Sequence, residues 1–322
     1  WARICPASTS RSSATPHPAL QFVVDDETRG DLLAKLLTGD PGASPAAVRE
    51  ACERLLLNND CPRPAPGSEE DDPRAGLFWI LTMAWRTHRR LRDPLPTDPA
   101  RAAALAYTLQ TRPLRDDAHG QLFIDAPSLM RRAAAVMAFG TPALAVGDDD
   151  ALTLALHQAG ADDLAAIDID ERVLAYLEEA SVGAIETHRI DVTRDPVPET
   201  LRGRFATVVT DPFRDLDGGL SFLTWAAACL RPDGHLIWVD HPDWSYEQPE
   251  VLETMERLGF ELVAMREDVH AYPLSVALIR PDEVADALDL DRGWLRAITE
   301  LTHAWSSIYV LERRPPDPMT VN

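Results

Sequence analysis

The stretch ALAVGDDDALTLALHQ, residues 143–158, decides the fold of this chain. Its first four residues are apolar, a glycine and three aspartates follow, and the apolar residues after them recur at helical spacing. A short apolar run predicts a buried strand, and the change of period across the glycine predicts a strand, a tight turn and a helix. The three aspartates, Asp148, Asp149 and Asp150, are therefore expected directly after a strand.

Short apolar runs alternate with amphipathic segments through the rest of the chain. After ALAV, the runs are LAAID (164–168), AIETHRI (184–190), TVVT (207–210) and HLIWV (235–239), followed by LVAM (262–265) and SIYVL (307–311). Strands that alternate with helices predict a parallel sheet covered on both faces. The predicted fold is thus α/β, with a doubly wound, mostly parallel Rossmann-like sheet that the last two runs close.

In the part of the chain before this α/β unit, the apolar residues recur at the spacing of helices. Apolar residues between positions 26 and 92 predict three helices, with a proline- and acid-rich loop at 58–74. We therefore predict a flexible tail at residues 1–20, a small helical domain at 21–99 and a catalytic domain at 100–322. The helical domain is either a winged-helix-like DNA-binding module or a lid or dimerisation domain, and the acidity of the chain favours the second interpretation.

The composition and the net charge of the chain limit the classes of molecule that it is expected to bind. The 322 residues include 52 Asp and Glu against 31 Lys and Arg, a net charge of −21. Such a surface repels nucleic acid backbones and anionic membranes and attracts basic small molecules. No apolar run reaches the length of a transmembrane helix, and the four cysteines lack metal-site spacing and read as free thiols. We expect a soluble cytoplasmic protein without nucleic acid or membrane partners.

An aspartate follows each of the first five predicted strands, and ligands of open parallel sheets bind at the carboxyl ends of strands. Asp168 lies about 20 residues after Gly147, the spacing at which a carboxylate accepts the ribose hydroxyls of a bound nucleoside. Asp170 would cap the next helix or make a second contact, and Asp191 would accept the adenine amino group. Each of these acids could instead only cap a helix.

The first turn has a charge opposite to that of a phosphate-binding loop. Such loops attract anions through bare backbone amides and a helix N-terminus, whereas three carboxylates after Gly147 repel a pyrophosphate. Dinucleotides and nucleoside triphosphates are therefore poor ligands, and an ammonium or sulfonium group is favoured. The nine histidines form no HxH or HxxxH pair, and the nucleoside interpretation accounts for the acids, so we predict no metal site.

The ends of the fourth and fifth strands offer candidates for binding a second substrate. Asp211 stands near an aromatic residue, and such a corner can hold an amine and orient or deprotonate it. After the fifth strand an acid, an imidazole and an indole follow, although the imidazole could equally lie on the surface. The predicted substrate-binding residues are Phe213, Arg214, Asp240, His241 and Trp244.

Three of these motifs, GDDDALTLAL (147–156), AIDID (166–170) and TDPF (210–213), together resemble the branched-chain polyamine synthases, the bis(aminopropyl)spermidine synthase family, a relative of the class I methyltransferase fold. GQLFIDAPSLMRRAA (120–134) and SSIYVLER (306–313) add to the resemblance, which covers most of the chain from about Pro113. The helical N-terminal unit is also similar to the small N-terminal domain of that family.

The resemblance implies aminopropyl transfer from decarboxylated S-adenosylmethionine to an amine nitrogen. It makes Asp148, Asp149 and Asp150 the expected binding and catalytic groups. One departure concerns the fourth strand end, where the family usually continues Asp-Pro-Pro and this chain has Asp211-Pro212-Phe213-Arg214. The charge of Arg214 either repels a polyamine or pairs with a substrate carboxylate, which would permit intact S-adenosylmethionine.

We therefore predict an enzyme with S-adenosylmethionine or its decarboxylated form as co-substrate and an amine or amino acid as acceptor. The amine displaces methylthioadenosine, with Asp211 orienting or deprotonating it and Asp149 or Asp150 anchoring the donor amino group. The alternatives are cyclisation of S-adenosylmethionine to a small ring amino acid, methyl transfer, and a non-catalytic binding protein. A homodimer is compatible with the sequence.

Overall fold

A computed structural model describes residues 25–64, 72–212, 215–240, 249–273 and 280–314. Its centre is a seven-stranded sheet with the strand order β3-β2-β1-β4-β5-β7-β6. The strands are β1 (Ala143–Val146), β2 (Leu164–Asp168), β3 (Ile185–Arg189), β4 (Phe205–Thr210), β5 (Leu230–Asp240), β6 (Phe260–Pro273) and β7 (His303–Arg313). The first five strands pair with one another in parallel, and β7 is antiparallel to both β5 and β6. The predicted α/β sheet is confirmed, and its last two strands form the predicted closing pair.

Within the described residues, α-helices surround this sheet and form a separate helical layer. They are α1 (Asp26–Thr38), α2 (Pro45–Asn58), α3 (Pro73–Arg92), α4 (Pro99–Thr108), α5 (Ala126–Met137), α6 (Leu152–Gln158), α7 (Glu171–Ala180), α8 (Leu216–Cys229), α9 (Pro249–Arg257), α10 (Pro281–Ala287) and α11 (Arg292–Leu301). Several begin where a short polar side chain accepts a hydrogen bond from the first turn, with a proline just inside the helix. None of the described helices is long and apolar enough to cross a membrane.

The two faces of the sheet carry separate apolar cores. Successive residues of β5 point to opposite faces: Ile237 and Val239 pack into the core that includes α5, α6 and α7, and Leu236 and Trp238 pack into the core that includes α8 and α9. Because both faces are covered, the strands are apolar almost throughout, as the sequence runs predicted. This arrangement leaves the edge at the carboxyl ends of β1 to β5 for a ligand site.

The helical layer draws on two distant parts of the chain. Leu33, Val48 and Ile80 of α1, α2 and α3 share one buried core with Val284 and Ile298 of α10 and α11. The sequence analysis assigned no helix to residues 281–301, although α11 places apolar residues on one face. The helical core is therefore completed by a segment that follows six of the seven strands.

The arginines near the end of α3 bind residues of β6. Arg86 donates to Asp268 at 2.6 Å, Arg89 donates to the other oxygen of the same carboxylate, and Asp268 is fully buried. Arg90 donates to the carbonyl oxygens of Glu267 and Asp268 at 2.7 and 3.1 Å. These three arginines thus join the helical layer to the sheet.

Candidate active site at the carboxyl edge of the sheet

A tight turn after β1 brings three aspartates to the edge of the sheet. Gly147 has φ +75°, and a Cβ atom there would lie 3.3 Å from the ring of Phe222. Ala151 also has a left-handed conformation, with φ +62°, and its N–H donates to the carbonyl of Asp148 at 2.9 Å. Glycine relieves the first strained position, while the second is held by the backbone hydrogen bond. The three carboxylates then face three different surroundings.

The carboxylate of Asp148 binds the first turn of helix α6. Its oxygens accept from the N–H of Leu152 at 2.6 Å and of Thr153 at 3.1 Å, and from the hydroxyl of Thr153. It therefore satisfies free amides of the first turn of α6. Burial raises the pKa of Asp148 to about 7 against these hydrogen bonds. Asp148 thus caps α6 from a buried position, and its predicted contact with the cofactor stays a prediction.

Asp150 is paired with a buried arginine that the sequence analysis did not select. Its Oδ2 accepts from Arg132 at 3.0 Å and its Oδ1 from the N–H of Ile124 at 2.9 Å, and Arg112 lies 3.8 Å from Oδ1. Both Asp150 and Arg132 are 3% exposed. Burial and the charge of Asp211 raise the pKa of Asp150, while Arg132 and Arg112 oppose this shift. The charge of Asp150 is thus compensated within the chain.

Asp149 lies between these two acids and differs from both in its surroundings. Within the described residues its carboxylate has no hydrogen-bond or ion-pair partner, and it is partly exposed. Burial, followed by the charges of Asp150, Asp168 and Asp211, raises its pKa well above the ordinary value, against the smaller effect of Arg112. Asp149 is therefore positioned to receive a cation from a ligand.

The end of β2 presents Asp168 beside this turn. Its Oδ2 accepts from the N–H of Asp148 at 2.9 Å and its Oδ1 from the N–H of Asp170 at 2.8 Å, and burial raises its pKa. Asp170 instead caps α7, and hydrogen bonds from the Arg172 side chain lower its pKa to about 2. Gln121 also donates to Asp170, at 3.1 Å. Of the two acids after β2, Asp168 keeps lone pairs for a ligand and Asp170 serves the helix.

The end of β4 is tied to the same cluster. Asp211 Oδ2 accepts from Arg132 at 2.8 Å and from the hydroxyl of Tyr272, and the Asp211 side chain is 28% exposed. One guanidinium thus joins Asp150 after β1 to Asp211 after β4. Buried acids, one shared arginine and an unpaired carboxylate meet at the carboxyl edge, where the sequence predicted a site.

The family model of the branched-chain polyamine synthase A C-terminal domain matches residues 103–273. The chain belongs to the branched-chain polyamine synthase family. The resemblance on which the sequence analysis relied is thereby confirmed, and the match contains the turn after β1 and the ends of β2 to β5.

Two solved branched-chain polyamine synthases, both from Thermus thermophilus and both in complex with N4-aminopropylspermidine and 5′-methylthioadenosine, have a similar fold. The C9 mutein has a TM-score of 0.54 and 16% identity, with 91% of this chain and 95% of that one covered. The other structure has a TM-score of 0.54 and 17% identity, with 89% of each chain covered. These likenesses confirm the predicted α/β fold.

A relative from Methanocaldococcus jannaschii, described as an uncharacterized protein, is 34% identical over 131 residues. The match spans 38% of this chain and about a third of the length of that relative, 33%.

Two further predicted site residues of this chain lie at the ends of other strands. Asp191, after β3, accepts from the N–H and hydroxyl of Thr193 at 3.0 and 2.6 Å in a surface turn. Asp240, at the end of β5, is 5% exposed and accepts from Trp238 Nε1 at 3.1 Å. Their predicted ligand contacts stay predictions. The other predicted substrate-binding residues, Phe213, Arg214, His241 and Trp244, lie outside the described residues.

The sequence analysis missed the groups behind Asp150 and Asp211. Arg132 belongs to the segment GQLFIDAPSLMRRAA, and two adjacent arginines within an otherwise apolar helix were a signal for a buried charge partner. Tyr272, His270 and Ser306 come from β6 and β7 and had no comparable signal. Buried polar residues on closing strands resemble core positions until the partner strand is known.

Proposed function

We propose that this chain transfers an aminopropyl group from decarboxylated S-adenosylmethionine to an amine, with methylthioadenosine as the second product. The observation that carries this proposal is Asp149, a partly buried carboxylate that has no ion-pair partner among the described residues. A buried acid beside other acids is costly in its ionised form. An ammonium group bound at Asp149 would remove this cost, and the donor and the acceptor polyamine both carry such groups.

The surroundings of Asp149 support a donor without a carboxylate. The guanidinium of Arg132 is occupied by Asp150 and Asp211. Arg112 donates to the carbonyl oxygens of Asp149 and Asp150 at 3.5 and 3.2 Å and lies over the Phe123 ring at 3.6 Å. Both described arginines of the cluster are therefore engaged, and the amino-acid end of intact S-adenosylmethionine would place its carboxylate against unpaired Asp149.

The adenosine part of the donor fits the ends of β1, β2 and β3. Gly147 gives a surface without a side chain, and each oxygen of Asp168 accepts one backbone N–H and keeps a lone pair for a ribose hydroxyl. Asp191 lies beyond Asp168 in the strand order, where the adenine would follow the ribose. The Thermus thermophilus synthase of similar fold was solved with 5′-methylthioadenosine, which is in keeping with this placement.

The proposed reaction is an inline displacement. The lone pair of the acceptor nitrogen forms a bond to the aminopropyl carbon attached to the sulfonium, and the carbon–sulfur bond breaks. Its electron pair stays on sulfur, which becomes the neutral thioether of methylthioadenosine. The proton of the acceptor nitrogen passes to a base, for which the free oxygen of Asp211 is the candidate. Holding both reactants in line supplies the larger part of the acceleration.

The test is product analysis with each donor, with and without spermidine. Methylthioadenosine and a new polyamine from the decarboxylated donor plus spermidine are expected. Methylthioadenosine from S-adenosylmethionine alone would indicate cyclisation, and S-adenosylhomocysteine would indicate methyl transfer. Unchanged donor in every mixture would refute the proposal.

The variant Asp149→Asn tests the carrying observation. Loss of one ammonium–carboxylate contact is expected to lower kcat/KM by about 10- to 100-fold, the range for a hydrogen bond to a charged group. Asp162→Asn is the matched control, because Asp162 is exposed and precedes β2 at the opposite edge of the sheet. Equal activity of the two variants would contradict the role of Asp149.

A further inference from the structure

A closed circuit of buried polar groups lies behind Asp211. Tyr272 donates to Asp211 Oδ2, the hydroxyl of Ser306 lies 3.3 Å from that of Tyr272, and His270 Nδ1 lies 3.1 Å from Ser306. Arg132 closes the ring, with contacts of 3.5 Å to each nitrogen of His270, 3.2 Å to Tyr272 and 2.8 Å to Asp211. All of these groups except Asp211 are buried.

The direction of the circuit follows from its two ends. The guanidinium of Arg132 can only donate, and the Asp211 carboxylate accepts from both of its partners. Tyr272 donates to Asp211, so its oxygen is left to accept from Ser306. Ser306 in turn accepts from Nδ1–H of His270. Each group from Asp211 to His270 then has one role toward the next. Arg132 Nη2 also lies 3.5 Å from His270 Nδ1, but the hydrogens of both nitrogens are directed to other acceptors.

This direction selects one tautomer of His270. With the proton on Nδ1, Nε2 accepts from Arg132 Nε, and the Nη2 hydrogens of Arg132 serve Asp211 and Tyr272. With the proton on Nε2, that N–H would face Arg132 Nε–H across 3.5 Å, and Ser306 would donate to His270 instead of Tyr272. Arg131 and Arg132 of α5 face the ring, and burial together with these charges lowers the pKa of His270 well below its ordinary value. The imidazole is thus neutral.

We propose that Arg132, Tyr272, Ser306 and neutral Nδ1–H His270 are positioning residues that fix Oδ2 of Asp211 and thereby present its other oxygen to the acceptor amine. This proposal rests on the proposed aminopropyl transfer. Both direct donors converge on Oδ2, whereas within the described residues Oδ1 has no hydrogen-bond partner. Burial and the charge of Asp211 also raise the pKa of Tyr272 well above its ordinary value, so its hydroxyl remains a donor.

The kinetic test uses two substitutions with matched controls. Tyr272→Phe and Ser306→Ala each break the circuit without removing a charge. Tyr176→Phe also removes a buried hydroxyl, one that donates to the Thr108 carbonyl, and Ser307→Ala lies next to Ser306 on β7 with its hydroxyl toward the N–H of Asp268. Of these four substitutions, only Tyr272→Phe and Ser306→Ala remove a group of the circuit that leads to Asp211.

We expect kcat to fall about tenfold in Tyr272→Phe and Ser306→Ala and to stay unchanged in both controls. The Kd for methylthioadenosine and the KM for the donor should not change, because the circuit does not touch the nucleoside end of the site. A smaller fraction of folded enzyme would also lower the apparent kcat at unchanged KM, so kcat is referred to the concentration of methylthioadenosine-binding sites, which a purely structural effect would lower in proportion. Unchanged kcat in Tyr272→Phe, or an equal fall in the controls, would overturn the proposal.

A second measurement is independent of activity. In ¹⁵N-histidine spectra, the signal that disappears in His270→Asn should show a neutral Nδ1–H tautomer that does not titrate between pH 5 and 8. An Nε2–H tautomer, or titration in this range, would overturn the circuit even in an active enzyme. If the wild-type chain instead released no methylthioadenosine, the proposed function would fail, and these spectra would still decide whether the circuit exists.

Discussion

Replacing Arg132 by methionine, R132M, should leave two carboxylates of the site without their shared cation. Arg132 and Asp150 are each 3% exposed and lie 3.0 Å apart. Removing one partner of a buried ion pair costs about 3–5 kcal/mol. The remaining charge of Asp150 is not hydrated and, among the described residues, keeps only the more distant cation of Arg112, at 3.8 Å. Asp211 adds less, since its side chain is 28% exposed and water can reach it. We expect the free energy of unfolding at pH 8 to fall by about 3–5 kcal/mol.

Urea unfolding of four proteins tests this magnitude: wild type, R132M, D150N and the double variant. Asparagine cannot be ionised, so D150N should recover most of the loss in the R132M background. The loss should also be smaller at pH 5 than at pH 8, because without Arg132 the already raised pKa of Asp150 rises further and the carboxyl is protonated. R54M is the control, since Arg54 and Glu50 form an exposed pair worth less than about 1 kcal/mol. A similar small cost for R132M, or no recovery in the double variant, would refute the reasoning.

Three further predictions concern the turn after β1. The folded-state pKa of Asp148, about 7, lies above its ordinary value of 3.8, so its contribution to stability is complete below about pH 4 and is lost as the pH rises through 7. Asp148→Asn should therefore flatten the decrease in the free energy of unfolding between pH 5 and 8, and an unchanged slope would contradict this assignment. Binding of decarboxylated S-adenosylmethionine should release protons, because an ammonium group lowers the raised pKa of Asp149. Calorimetry at pH 7 in two buffers of different ionisation enthalpy measures the number of protons released. Asp149→Asn should abolish most of this release, and an unchanged release would contradict the prediction. Gly147→Ala should destabilise the chain by about 1–2 kcal/mol and weaken methylthioadenosine binding, because φ is +75° and the new Cβ atom would lie 3.3 Å from the Phe222 ring. Wild-type affinity and stability in this variant would contradict the prediction.

The strands and the site edge were predictable because they depend on local patterns. Runs such as LAAID and HLIWV are apolar because both faces of the sheet are covered. An apolar run consists of adjacent residues, so it can be recognised in the sequence. Parallel strands place their carboxyl ends at one edge, so aspartates after five runs had to meet there. The helices α10 and α11 and the length of β6 were not predicted, because their apolar faces are completed only by distant segments.

The role of each acid required the folded chain. Asp148, Asp149 and Asp150 are identical in the sequence, yet one caps α6, one has no partner among the residues that the structure describes, and one binds Arg132. No spacing rule separates them, since the difference lies in which donors the turn brings within hydrogen-bond distance. Single-residue roles at the start of a helix therefore stay ambiguous until the turn geometry is known.

By itself the sequence determined the α/β class and the acidic edge, because hydrophobic period and charge are carried by adjacent residues, and it predicted a cation rather than a phosphate as the ligand of that edge. Only the tertiary structure decided which carboxylate remains unpaired and which groups hold Asp211. Arg132, Tyr272 and Ser306 lie on α5, β6 and β7, and a buried charge finds its partner through space rather than along the chain. The physical reason is desolvation: each ionised group taken out of water must be paired nearby, and the fold, not the local sequence, chooses the pair.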